Sequence, residues 1–263
     1  MSITKTVNVL LKDINEETDI NQEIQSDIHE ELLFKRNSIN LLIGKRGSGK
    51  TFNVFRELIK LSQAGIKDYK LFLYITDKTY DDTYNKMKKF IDIQTHMFNY
   101  EDALTFLPQF INAKSAYDEV LETNCAHLLT AQSKQRILET LYLKEFEGLF
   151  HIIVLYDDAI NIFKVNKYKV LLNLLFQNRQ SKITYFLCIQ DMFGIPPQVK
   201  ANLDSLWLFG KFSDKGRFNY LMLQLGQSQK AEHIWNRYQE LNHRQAIIFI
   251  FNDDGIKRKY LDQ

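Results

Sequence analysis

Eight consecutive residues constrain the fold of this chain more than any others: Gly44-Lys45-Arg46-Gly47-Ser48-Gly49-Lys50-Thr51. They match G-x-x-x-x-G-K-[ST], the P-loop, whose backbone N–H groups wrap phosphate oxygens. The flanks agree with the letters. Ile39-Asn40-Leu41-Leu42-Ile43 reads as a buried strand, and Phe52 to Leu61 reads as a helix with apolar positions at Phe52, Phe55, Leu58, Ile59 and Leu61. Strand, glycine loop and helix in that order aim the positive end of a helix dipole at an anion. In such a loop Lys50 reaches the β- and γ-phosphates of a nucleoside triphosphate, and the Thr51 hydroxyl holds Mg²⁺.

The remaining pattern alternates apolar strands with helices. Leu71 to Ile75, His151 to Tyr156, Ile183 to Ile189 and Ser205 to Phe209 read as buried strands, with a short strand near Thr95 to Asn99. Helical spacing covers most of 81–150, with a start at Tyr100 and i, i+3, i+4 apolar positions over Lys134 to Phe146, then Val170 to Phe176 and Gln229 to Leu241. Ala246 to Phe251 and Ile256 to Leu261 flank Asn252-Asp253-Asp254-Gly255 and read as a terminal hairpin with an Asp-Gly turn. Continuous apolar strands separated by helices predict an α/β fold. Its sheet is mostly parallel, RecA-like and covered by helices on both faces. A helical insertion at about 100–148 falls between the second and third of the main strands, and a helix and hairpin close the chain at about 229–263. Residues 1–37 form an acidic segment ahead of an ATPase domain at 38–263. Ile20, Ile24, Ile28 and Leu32 give that segment a narrow apolar stripe, suited to packing on its own core or to an arm on a neighbouring subunit.

Composition excludes several classes. With 45% hydrophobic residues and only 3 prolines and 10 glycines among 263, the chain can bury a core. Its net charge of +2 gives no global nucleic-acid signature, so any such contact needs a local patch. Cys125 and Cys188 are far apart and outside any C-x-x-C pattern, which excludes a disulfide framework and a cysteine zinc site. No apolar run reaches the ~18 residues needed to span a bilayer, and the N-terminus does not resemble a secretory signal.

Asp157-Asp158 ends the strand His151 to Tyr156. An acid at the end of a buried strand holds Mg²⁺ in P-loop enzymes, and its neighbour can orient or deprotonate the attacking water. Asp157 is therefore assigned to the metal and Asp158 to the water. Taken alone, the pair reads equally well as acids opening a turn or capping a helix at Ala159. Gln190, after the strand Ile183 to Ile189, falls at the same carboxyl edge and is placed to sense a γ-phosphate. Arg179, in the loop before that strand, is either a solvated arginine or a group that completes a neighbouring subunit's site. No N-K-x-D guanine loop is present, since Asn85-Lys86-Met87-Lys88 and Asn166-Lys167-Tyr168-Lys169 both lack the final Asp. The chain is too short for a helicase with two nucleotide-binding cores.

The ordered set of the P-loop, Leu155-Tyr156-Asp157-Asp158, Asn178-Arg179, Gln190-Asp191, Ile195-Pro196-Pro197 and Asn202-Leu203-Asp204 resembles the genome-packaging ATPases of large DNA viruses and their virophages. These belong to the FtsK/HerA-type branch of P-loop motors. The resemblance covers roughly residues 38–212. Gln180 and Lys200 depart from it, standing where the family has a histidine and commonly an arginine, so a trans role rests on Arg179 alone. The resemblance implies an ATPase with Mg²⁺, assembled as a pentameric or hexameric ring that pumps double-stranded DNA into a preformed capsid. It further implies a capsid vertex or portal as a partner, and a place in the host cytoplasm, a viral factory or the virion. Lys86, Lys88 and Lys89, then Lys211, Lys215 and Arg217, then Lys257, Arg258 and Lys259 are the basic candidates for DNA; each cluster also reads as a solvated face. A hexameric helicase, a conjugation-type DNA pump and a nucleotide-dependent assembly switch remain as alternatives.

Overall fold

The computed structural model describes residues 32–64, 66–78, 81–190, 195–210, 214–252 and 255–261. The acidic stretch up to residue 31, Asp191, Lys211 and the side chains of Lys257 and Arg258 lie outside the described residues.

One eight-stranded sheet organises the chain, in the order β3-β2-β4-β5-β1-β6-β7-β8. The strands are β1 (Ile39–Ile43), β2 (Tyr69–Ile75), β3 (Gln94–Phe98), β4 (His151–Tyr156), β5 (Ile183–Ile189), β6 (Ser205–Phe209), β7 (Ala246–Asn252) and β8 (Gly255–Leu261). All neighbours from β3 to β6 pair in parallel, while β7 and β8 add antiparallel strands at one edge. The α-helices among the described residues are α1 (Lys50–Gln63), α2 (Asp82–Met87), α3 (Tyr100–Glu122), α4 (Ala131–Thr140), α5 (Ile160–Lys164), α6 (Lys169–Leu175), α7 (Pro197–Ala201), α8 (Lys215–Gln224) and α9 (Ala231–Glu240).

The unbroken apolar runs follow from burial on both sheet faces. In β1, Leu41 and Ile43 face one core, shared with Tyr100, Leu107 and Phe110 of α3 and Leu171 and Leu175 of α6. Leu42 faces the other core, with Val54, Phe55 and Leu58 of α1. Successive side chains of a strand point to opposite faces, so a strand covered on both sides must be apolar at every position. Asn40 is the exception in β1 and is fully buried. Its amide donates to Ser38 Oγ and the Tyr185 carbonyl, and its Oδ1 accepts from Ser205 Oγ.

The short strand expected near Thr95 does form, as β3, and pairs with β2 over its full length ahead of the helical insertion. Other elements differ from their sequence reading. Helix α4 stops at Thr140 instead of running to Phe146. Tyr142 turns left-handed at φ 57, its N–H donates to Glu139 O, and the Leu143 N–H donates to Leu138 O. Those two bonds close a Schellman cap that ends the helix. Helix α8 was not read from the sequence, although its signals were present. Asp214 caps it by accepting from Gly216 N and Arg217 N, and Phe218, Leu221 and Met222 form its buried stripe. Gly255 pairs with Asn252 and opens β8, closing the expected terminal hairpin.

Candidate active site

Parallel strands deliver their carboxyl ends to one edge of the sheet, and the order β4-β5-β1 brings the ends that matter side by side. The loop after β1 is tied to β5 by a hydrogen bond from Gly44 N to Ile189 O at 3.1 Å. Two of its glycines are demanded by geometry. A Cβ on Gly44 would lie 2.8 Å from the Phe209 carbonyl oxygen. Gly49 sits at φ +93, where a side chain is strained, and a Cβ there would lie 2.7 Å from Arg244 Cγ. Gly49 then caps α1, whose first turn carries no acidic residue, so its dipole faces the loop uncompensated. Lys50 is buried within the loop and donates to the carbonyls of Gly44 (2.7 Å) and Lys45 (3.0 Å). Ser48 Oγ is a buried oxygen with no hydrogen-bond partner among the described residues.

Asp157 follows β4 and is 6% exposed. Its Oδ1 accepts from Thr51 Oγ1 at 3.2 Å. The next residue, Asp158, adopts the left-handed conformation at φ 54, a region Asp tolerates better than most residues. Ala159 N then donates to Cys188 O at 2.8 Å, which locks this turn onto β5. Asp158 Oδ1 accepts from Gln190 Nε2 at 2.8 Å. Thus Thr51, Asp157, Asp158 and Gln190, far apart in sequence, share one cleft with the P-loop residues 46–51. The cleft measures about 580 Å³, within the range of small-molecule sites.

Two hard oxygen donors, the Thr51 hydroxyl and the Asp157 carboxylate, stand together at the floor of this cleft. Mg²⁺ favours a small number of protein oxygens supplemented by phosphate oxygens and water, so the donor set fits that ion.

Lys78, Asp81 and Tyr74 join this site without having been nominated from the sequence. Lys78 Nζ bridges Asp157 Oδ2 (2.7 Å) and Asp81 Oδ2 (2.8 Å). Tyr74 donates its hydroxyl to the same carboxylate pair, at 3.0 Å from Asp81 and 3.1 Å from Asp157. Burial works against the charged forms of Lys78 and Asp81. Their mutual hydrogen bonds and the Lys78–Asp157 contact outweigh it, so Lys78 is raised above the usual lysine range and Asp81 is held below the usual carboxylate range. Burial and then the charges of Asp157 and Asp81 raise Tyr74, keeping it a neutral donor. Cys188, beside the site but fully buried, is also raised, first by burial and then by Asp157, so it remains an inert thiol.

Arg179 is not in this cleft. It precedes β5, whereas Gln190 follows it, and the seven residues of that strand span about 23 Å. Its guanidinium lies at the opposite edge of the sheet, 82% exposed and 3.8 Å from Asp204. From there it cannot reach the phosphates of its own P-loop. Arg244 is the reverse case, unmarked in sequence yet lining the cleft, with its guanidinium 4.6 Å above the Phe52 ring.

Four of the basic candidates are engaged locally. Lys86 pairs with Asp82, and Lys215 with Glu232. Arg217 pairs with its own helix cap, Asp214. Lys88 stands over the Tyr84 ring. No described helix is long and apolar enough to cross a membrane.

No family model matches the sequence, and no curated protein matches it. Solved structures do match. The DNA-packaging ATPase B204 from Sulfolobus Turreted Icosahedral Virus superposes with a TM-score of 0.55 at 14% identity, covering 88% of this chain and 100% of B204. The genome packaging NTPase B204 from Sulfolobus turreted icosahedral virus 2, in complex with ATP-gammaS, gives 0.51 at 15% identity over 84% of this chain and 96% of that one. The cytoplasmic domain of the Type VII secretion ATPase EccC from Thermomonospora curvata gives 0.52 at 15% identity, covering 85% of this chain but only 25% of EccC. The chain has the P-loop NTPase fold. The fold expected from the sequence is the one observed, and its structural neighbours include a viral DNA-packaging ATPase, the kind that the motif string resembled, as well as a secretion ATPase.

Proposed function

We propose that this chain is an ATPase that works as a ring-forming motor, translocating double-stranded DNA and packaging a viral genome into a preformed capsid. The observation that carries the hydrolytic part is the convergence of Thr51, Asp157, Asp158 and Gln190 on the P-loop cleft. A binding site alone needs the loop and a metal carboxylate. A second carboxylate, held in a left-handed turn and hydrogen-bonded to a glutamine, adds the group that hydrolysis requires.

In this reading the P-loop N–H groups and Lys50 hold the triphosphate of ATP. Lys50 leaves the loop carbonyls for the β- and γ-phosphates as they arrive. Thr51 and Asp157 hold Mg²⁺, which supplies neutralisation of the phosphate charge. Asp158 orients the attacking water and accepts its proton, while Gln190 contacts the γ-phosphate and reports its loss through the hydrogen bond to Asp158. Arg179, exposed on the far edge, reaches a neighbour's nucleotide and stabilises charge in its transition state. The likeness of fold to B204 over the whole of that chain supports the packaging role.

A second reading, an ATP-dependent assembly switch without translocation, is favoured by the local pairing of Lys86, Lys215 and Arg217, which leaves no obvious DNA stripe among the described residues. ATP turnover measured with and without duplex DNA, on material of known oligomeric state, separates the two. A motor is stimulated by duplex and loses that stimulation steeply as salt rises. Turnover indifferent to DNA and salt refutes the motor and leaves the switch; no turnover at all refutes both.

A further inference from the structure

The cleft has residues for the triphosphate, and the sequence has no N-K-x-D guanine loop. The sheet order shows where a base would lie. Asp157 and Asp158 follow β4 on one side of the P-loop strand β1, and β6 and β7 stand on the other. Because β7 runs antiparallel to β6, with Ala246 opposite Phe209, the turn before β7 returns to the edge that carries the P-loop. That turn holds Arg244. A triphosphate whose γ end meets Asp158 and Gln190 therefore runs its nucleoside end towards Arg244 and Phe52.

This corner is built for a fixed arginine. Arg244 is held left-handed at φ 67. Its carbonyl accepts from Asn53 Nδ2 at 3.2 Å, and the neighbouring His243 Nε2 donates to the Gly47 carbonyl at 2.8 Å. The stem of Arg244 packs so tightly on Gly49 that no Cβ fits there. Its guanidinium stacks over Phe52, and both side chains line the cleft. A strained backbone maintained by several contacts marks a position where side-chain placement matters.

We propose that Arg244, stacked on Phe52, is the base platform of this site, binding the purine ring of the nucleotide through its planar guanidinium face. The proposal rests on the reading of the P-loop as a nucleotide site. A planar cation recognises a π-face and does not read the hydrogen-bonding edge of a base. The platform therefore favours purines over pyrimidines and discriminates poorly between adenine and guanine.

Calorimetric titration of the full chain with Mg·ATP and with Mg·tripolyphosphate, which has the phosphates and no base, tests this. The variant Arg244→Met keeps the unbranched stem against Gly49 and removes the guanidinium. It should weaken ATP and GTP alike by about 3- to 30-fold, the span of a cation–π contact from exposed to desolvated, and leave tripolyphosphate within twofold. Wild type should bind ATP more tightly than UTP, and the variant should lose that preference. Unchanged ATP affinity overturns the proposal. So does an equal loss for ATP and tripolyphosphate, which would make Arg244 a phosphate ligand. Phe52→Leu provides the same comparison should Arg244→Met fail to fold. A wild type that binds neither ligand refutes the nucleotide site itself, whereas one that binds both equally refutes the platform alone.

Discussion

Replacing Asp158 by Asn separates hydrolysis from folding and from binding. The substitution suits the local structure. At φ 54 the backbone lies in the left-handed region, which Asn occupies as readily as Asp. The Gln190 amide donates to Asp158 Oδ1, and an Asn oxygen accepts the same bond. The side chain is only partly buried and has no cationic partner among the contacts described. Stability should therefore stay within about 0.5 kcal/mol of wild type, the usual range for a surface change that breaks nothing. Nucleotide affinity should hold within a few-fold, because the P-loop, Lys50, Thr51 and Asp157 are untouched. Turnover should fall by about 10²–10⁴, the contribution of a positioned general base, or roughly 2.7–5.4 kcal/mol of barrier. Urea denaturation, calorimetric binding and phosphate release measure the three quantities. Full hydrolysis by Asp158→Asn would refute the assignment of Asp158 to the water, and lost binding would show that the residue serves the ligand and not the chemistry.

Mixing Arg179→Ala subunits with Lys50→Ala subunits, each inactive alone, should restore part of the turnover, because the second supplies its arginine to the intact P-loop of the first; no recovery refutes action in trans. Lys78→Met leaves Asp81 and Asp157, each 6% exposed, without their shared cation. Since the Lys78 side chain is itself 41% exposed, the cost should be about 1–3 kcal/mol and not the larger value of a fully buried pair. Mg²⁺ should raise the melting temperature of this variant more than that of wild type; equal responses refute the link between Lys78 and the metal carboxylate. Burial holds His96 and His151 below the usual histidine range. Below about pH 6.5 the unfolded chain takes up protons that the folded one refuses, so stability is complete above that value and declines as pH falls through the folded pKa. His151→Gln should flatten the fall in urea midpoint between pH 7 and 5, and an unaltered slope refutes the role of that residue.

Much of this arrangement is legible in the sequence because it depends on local pattern. The glycines of the P-loop, the Asn99 cap of α3 and the apolar run of β4 each act within a few residues. Asp157, Asp158 and Gln190 can be nominated because any residue following a parallel strand falls at the carboxyl edge. Lys78 and Asp81 also follow a parallel strand, β2, but nothing local links them to Asp157. Their meaning comes from β2 lying directly beside β4, which sets their loop over Asp157. Helix α4 reads too long because Leu143 and Phe146 keep helical spacing beyond a cap made by Tyr142, a residue not associated with left-handed turns. Arg244 is invisible because it meets Asn53 across 191 residues, through an antiparallel strand that reverses direction at the edge of a parallel sheet.

By itself, the sequence determined a phosphate-binding loop between strand and helix, and a sheet buried on both faces, since glycine conformational freedom and hydrophobic period are properties of short segments. Only the tertiary structure decided which strands are neighbours. Hydrophobic burial demands that both faces be covered, but it does not specify the order β4-β5-β1. That order seats the acids and Gln190 beside the P-loop, brings Arg244 in from the far side, and leaves Arg179 a strand's length away on the opposite edge.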